Sequence, residues 1–107
     1  MSRTRGIQGL NEKLSYLGLI FPNFTGMHYY KTQTDTILFK SPGGVTFSHD
    51  KDAPEKNWSH VFRKGDAIQI PPEVIRGLSP LGQPLEIELI VEPTFDLLDE
   101  VLVRYVA

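Results

Sequence analysis

The chain has 107 residues, with 11 Lys and Arg against 13 Asp and Glu, a formal net charge of -2 and no cysteine. Without cysteine there is no disulfide, no thiolate metal site and no Cys nucleophile, and without a run of Lys or Arg there is no electrostatic footprint for nucleic acid or an anionic membrane. The length fits one domain, and 8 prolines and 9 glycines spread along it favour many short strands over a helical bundle.

Residues 1–9 are polar and contain glycine, and read as a loose arm. The next stretch, LNEKLSYLG, predicts a helical turn or two with Asn11 as N-cap and Gly18 as the stop. GLIF then forms a short apolar strand, closed by Pro22 and Asn23. MHYYKT predicts a strand that puts His28 and Tyr30 on one face and Met27, Tyr29 and Lys31 on the other. TILFK is β-rich, and SPGG turns the chain into VTF as a hairpin. The polar stretch SHDKDAPEKN is a long exposed connection, and residues 58–64 form a further strand, in which Trp58 reads as packing rather than as a stacking platform.

Residues 65–91 carry the clearest pattern. Ile68 and Ile70 alternate with Ala67 and Gln69, the period of a half-buried strand. Pro71 and Pro72 end it, since neither donates a ladder hydrogen bond. After Gly77 and the turn-rich SPLGQP, Leu85, Ile87, Leu89 and Val91 alternate with Glu86 and Glu88, one face core and the other wet. Glu86, Glu88, Glu92, Asp96, Asp99 and Glu100 read as a solvated acidic face, with a cation-binding patch as the alternative. The tail begins helix-like (TFDLLDE) and ends β-like (VLVRYV), and periodicity supports both. No apolar run approaches the roughly 20 residues that span a bilayer, and the N-terminus lacks the apolar core of a signal peptide, so a cytoplasmic protein without a membrane partner is expected.

Residues 26–92 resemble the cupin superfamily of small antiparallel β-barrels. Its second motif runs Gly, five residues, Pro, one residue, Gly, two residues, His. Gly65, DAIQI and Pro71 match it, while Glu73 stands at the glycine and Arg76 at the histidine. Its first motif, His-x-His with a following acid and glycine, places His28 at the first histidine, Tyr30 at the second, Asp35 at the acid and Gly43 near the closing glycine. Gly26 lies too close to His28 to open the motif. The resemblance implies an all-β fold: a single antiparallel cupin-type β-barrel, a double-stranded β-helix or jelly roll. Residues 1–24 would supply an arm and a first strand, with a short helix as an option, 25–93 the barrel core and 94–107 a C-terminal segment of the same domain. A homodimer is also implied.

Cupin sites resemble three His and one carboxylate around Fe, Mn, Ni or Zn, ligands such ions accept. Here His28 and Asp35 remain as donors, while Arg76 keeps its proton and brings a positive charge to the cation's place. No cofactor is therefore expected; His49 or His60 would have to rescue a metal held by His28 and Asp35. The resemblance brings His28, Tyr30, Asp35 and Arg76 together at the barrel mouth, where Arg76 and Asp35 would bind a ligand with His28 and Tyr30, and His28 or Tyr30 would move a proton. Three readings follow: a metal-independent barrel that binds, and in one form isomerises or otherwise converts, a small anionic metabolite clamped by Arg76; a non-catalytic binding or assembly module with Arg76 paired to Asp35; and a metal-dependent, dioxygenase-like enzyme.

Overall fold

The computed structural model describes residues 3–11, 14–50, 52–53, 55–92 and 99–103, which contain no α-helix. Ten strands run in chain order: β1 Arg3–Asn11, β2 Leu14–Phe21, β3 His28–Tyr30, β4 Thr34–Phe39, β5 Gly43–Ser48, β6 Trp58–Phe62, β7 Ala67–Ile70, β8 Ile75–Pro80, β9 Leu85–Glu92 and β10 Glu100–Leu102. They form two five-stranded sheets, β1-β2-β9-β4-β7 and β10-β3-β8-β5-β6, antiparallel throughout. The expected all-β, cupin-type barrel is what the chain forms.

Alternation drives the arrangement. Leu85, Ile87, Leu89 and Val91 of β9 point inward, as do Ile37 and Phe39 of β4 and Leu17 and Leu19 of β2. They meet Val45, Phe47 and Leu78 from the second sheet in one buried cluster. Phe62 closes it, stacked on Phe39 at 4.8 Å.

Four expectations are corrected. Residues 3–11 are not a loose arm but β1, paired with β2. The helical turn expected near Asn11 to Gly18 is strand from Leu14 onward, because β2 pairs along its length with β9 and that non-local ladder overrides the local helix propensity of Glu-Lys-Leu. β4 and β5 are not a hairpin: β4 pairs with β7 and β9, β5 with β6 and β8, so SPGG carries the chain from one sheet to the other. Finally, the stretch between β7 and β9 is not only turn, since it holds β8, central in its sheet. Gly77 lies in β8 because a Cβ there would stand 2.6 Å from the Phe24 ring. The helix-like reading of the tail falls largely on 93–98, outside the described residues.

The turns on either side of β7 both contain left-handed backbone. Gly65 has φ +94, and Glu73, at the other glycine of the second cupin-like motif, has φ +68. A left-handed conformation costs a side-chain-bearing residue about 1 to 2 kcal/mol, and Glu73 is held there with its N–H donating to the Tyr30 carbonyl at 2.8 Å. Glu73→Gly removes that strain at the expense of added chain entropy, so it stabilises by about 0.5 to 1 kcal/mol. Urea unfolding measures the difference; a loss of stability would show that the Glu73 side chain contributes more than its backbone costs.

Candidate functional site

Register places the site. His28 of β3 stands opposite Arg76 of β8, Arg76 opposite Phe47 of β5, and Phe47 opposite Trp58 of β6. Opposed residues of an antiparallel pair share a face, so these four form one row across the inner side of the second sheet. Asp35 of β4 faces the row from the first sheet, and Tyr30 follows His28 at the two-residue period. The four residues singled out in the sequence are therefore brought together, all buried.

At their centre is an ion pair. Arg76 is 1 % exposed, and its Nη1 donates to Asp35 Oδ2 at 2.9 Å. Its Nε donates to the Val74 carbonyl at 2.9 Å and its Nη2 to the Pro71 carbonyl at 3.0 Å. The Tyr30 ring lies 5.1 Å from the guanidinium carbon, a cation–π contact, and the His28 ring meets it edge-on at 5.5 Å. Gln33 Nε2 donates to Asp35 Oδ1 at 2.9 Å. Arg76 is thus not a free clamp. Its carboxylate partner is internal.

Burial sets the protonation states. It pushes Asp35 up to about 6, against the pull of Arg76 and Gln33 and with the aid of Glu100 and Asp99. Burial lowers His28 to about 4; its hydrogen bond to Gly26 opposes that shift and Arg76 adds to it. The ring is neutral at pH 7. Since a carbonyl only accepts, the 3.1 Å contact between His28 Nδ1 and the Gly26 oxygen puts the proton on Nδ1, leaving Nε2 as the acceptor. Burial and the nearby carboxylates Glu100 and Asp35 raise the Tyr30 phenol well above its ordinary range, so it stays protonated. Desolvation lowers Arg76, with Asp35, Tyr30 and Glu100 pulling it back.

Three site residues were not singled out in the sequence: Gln33, Asp99 and Glu100. Asp99 is part of no solvated face. It is buried and accepts from Thr32 N–H at 2.9 Å, Thr32 Oγ1 at 2.9 Å and Gln33 N–H at 3.0 Å. Burial pushes its carboxyl up, but these bonds outweigh it and hold it below the usual carboxylate range. It ties the start of β10 to the corner between β3 and β4. Glu100 then lies directly opposite Tyr30. Of the other acidic residues, Glu92 is exposed and Asp96 lies outside the described residues.

Among the described residues the site offers His28 and Asp35 as metal-type donors, with the Arg76 guanidinium on the carboxylate. The guanidinium holds Asp35 where the family's third histidine would stand, and no group of three or more His, Cys, Asp or Glu among the described residues is arranged for an ion. His49 and His60 do not fill the gap: His49 lies beside Trp58 at 6.2 Å and His60 against Phe62 at 4.7 Å. Trp58 packs on Phe47 at 4.6 Å, yet it is 51 % exposed.

No protein-family model matches the sequence, and no curated protein matches it. Solved structures share the fold. Streptomyces PAC13, in a His-to-Gln variant with uridine, superposes with a TM-score of 0.73 at 17 % identity over 99 % of this chain and 79 % of that one; it is described as a nucleoside dehydratase. Bacillus subtilis oxalate decarboxylase gives 0.74 at 14 % identity over 94 % of this chain and 30 % of its own. Protein NMB1881 from Neisseria meningitidis gives 0.67 at 14 % identity over 84 % and 83 %. These likenesses support the cupin-type fold.

Proposed function

We propose that this protein is a metal-independent, cupin-fold barrel that binds a small polar metabolite and converts it by proton transfer, as an isomerase or a lyase. The observation that carries the reading is the Arg76–Asp35 pair, 2.9 Å apart and buried at the position where the fold family places metal ligands. With a fixed internal cation in place of an ion, the remaining chemistry belongs to two uncharged groups. His28 Nε2 accepts a proton, because its ring is neutral and its other nitrogen is committed to Gly26. Tyr30 donates one, because its phenol is held protonated beside carboxylates. The fold neighbour described as a nucleoside dehydratase supports this class of reaction. The expected homodimer belongs to the same proposal, supported by exposed Trp58 and Val61 on the edge strand β6.

A second reading is favoured by the completeness of the pair's bonding. Arg76, 1 % exposed and donating to three acceptors, equally suits a filled, non-catalytic barrel. A thermal-shift screen of nucleosides, sugars, amines, carboxylates and phosphates separates the two. The first reading predicts a stabilising class whose members are converted, with conversion slowed about 10²- to 10⁴-fold in His28→Gln and Tyr30→Phe. Silence across all classes supports the filled barrel.

A further inference from the structure

The polar groups of the site are not evenly satisfied, and the imbalance has a sign. Arg76 forms its salt bridge with Asp35, and its pull on Glu100 is exerted from beyond salt-bridge distance. Glu100, half-buried and on the same face as Tyr30, makes no hydrogen bond or ion pair with a described residue, although it lies close enough to act on Arg76, Tyr30 and Asp35 electrostatically. Gln33, 1 % exposed, spends its amide N–H on Asp35 and leaves Oε1 buried with no partner. Leaving a buried acceptor unpaired costs about 1 to 3 kcal/mol. The lone pair of His28 Nε2 is a third acceptor. Against these stand the Tyr30 hydroxyl and the remaining Arg76 N–H groups. The guanidinium is already committed to Asp35, Val74 and Pro71, so an anion would compete with an internal carboxylate and two carbonyls for it.

We infer that the site takes a ligand rich in hydrogen-bond donors, a hydroxylated or ammonium-bearing small molecule rather than an anion, with Glu100 as its principal acceptor and Gln33 Oε1 and His28 Nε2 beside it. This rests on the reading of the barrel as a small-molecule site and specifies its ligand. It also gives β10 a role: the three hydrogen bonds to Asp99 fix the strand's start, and the next residue presents the acceptor.

The test uses three pyranoses of one size and different charge, glucosamine, glucose and glucuronate, titrated into the full chain at neutral pH and followed by amide NMR shifts. Glucosamine and glucose are expected to bind more tightly than glucuronate. Glu100→Gln, which keeps the shape and loses the charge, weakens glucosamine about tenfold, the equivalent of one charge-assisted hydrogen bond. Glu100→Asp keeps the order of the three. Tightest binding by glucuronate, or a glucosamine affinity unmoved by Glu100→Gln, overturns this inference while the small-molecule reading stands. If none of the three moves a resonance and the metabolite screen is silent too, both fall together and the filled barrel is left.

Discussion

Arg76→Met lowers the stability of the protein by about 3 to 5 kcal/mol, the cost of stranding one charge of a buried pair. Methionine nearly fills the volume of the arginine stem, so cavity formation contributes little and the loss reports the charge. Asp35 is left in the core with Gln33 as its remaining hydrogen-bond donor, and the Val74 and Pro71 carbonyls lose theirs. The double variant Asp35→Leu/Arg76→Met recovers most of that loss, because apolar groups of similar volume replace buried ion pairs at little cost or with a gain. Urea unfolding of the two single variants, the double variant and the parent forms a complete cycle. A loss below about 1 kcal/mol for Arg76→Met, the worth of an exposed pair, would mean that the guanidinium is hydrated and the barrel open at this level.

His28→Gln changes the pH dependence of stability, and the sign follows from the direction of the shift. His28 titrates near 4 when folded and near 6.5 as a free side chain. Between those values the unfolded chain binds more protons, so the histidine's contribution is complete above pH 6.5 and is lost as pH falls toward 4. Asp35 acts the other way. Raised from 3.8 to about 6, it favours the folded state below that window and loses its contribution as pH rises through it. In the wild type the two slopes oppose each other. Removing the histidine exposes the Asp35 slope, so the variant is comparatively strong near pH 4, and the wild type gains about 2 to 3 kcal/mol over it by pH 6.5. Chemical denaturation at a series of pH values checks this. A wild-type-to-variant difference that is flat across the range would place His28 in contact with water.

The fold was legible where periodicity was strong and the partner strand near. β7 and β9 show two-residue alternation, and Pro71 and Pro72 end β7 as their missing N–H groups require. β8 was hidden because its sequence, IRGLSP, carries turn residues. Its glycine answers to Phe24 and Met27 packing against it, which no local pattern encodes. The β4–β5 link failed for a related reason: SPGG specifies a reversal but not the sheet in which the next strand pairs. At the site, His28, Tyr30, Asp35 and Arg76 were readable because short motifs hold them at fixed spacing. Asp99 and Glu100 were not, since Asp99 reaches Thr32 and Gln33 across 66 to 67 residues of chain. An acidic tail has the same composition whether it is solvated or caps a buried corner.

In the proposed reading, a buried Arg76–Asp35 pair takes the place of a metal centre. Elemental analysis tests it most directly: inductively coupled plasma mass spectrometry of the untagged protein, purified without chelator from cells supplied with Fe, Mn, Ni and Zn. The pair predicts each metal far below one ion per chain, with no rise in thermal stability when any of the four is added back. One ion of Fe, Mn, Ni or Zn per chain, lost in His28→Gln, would contradict it and require Arg76 to leave Asp35.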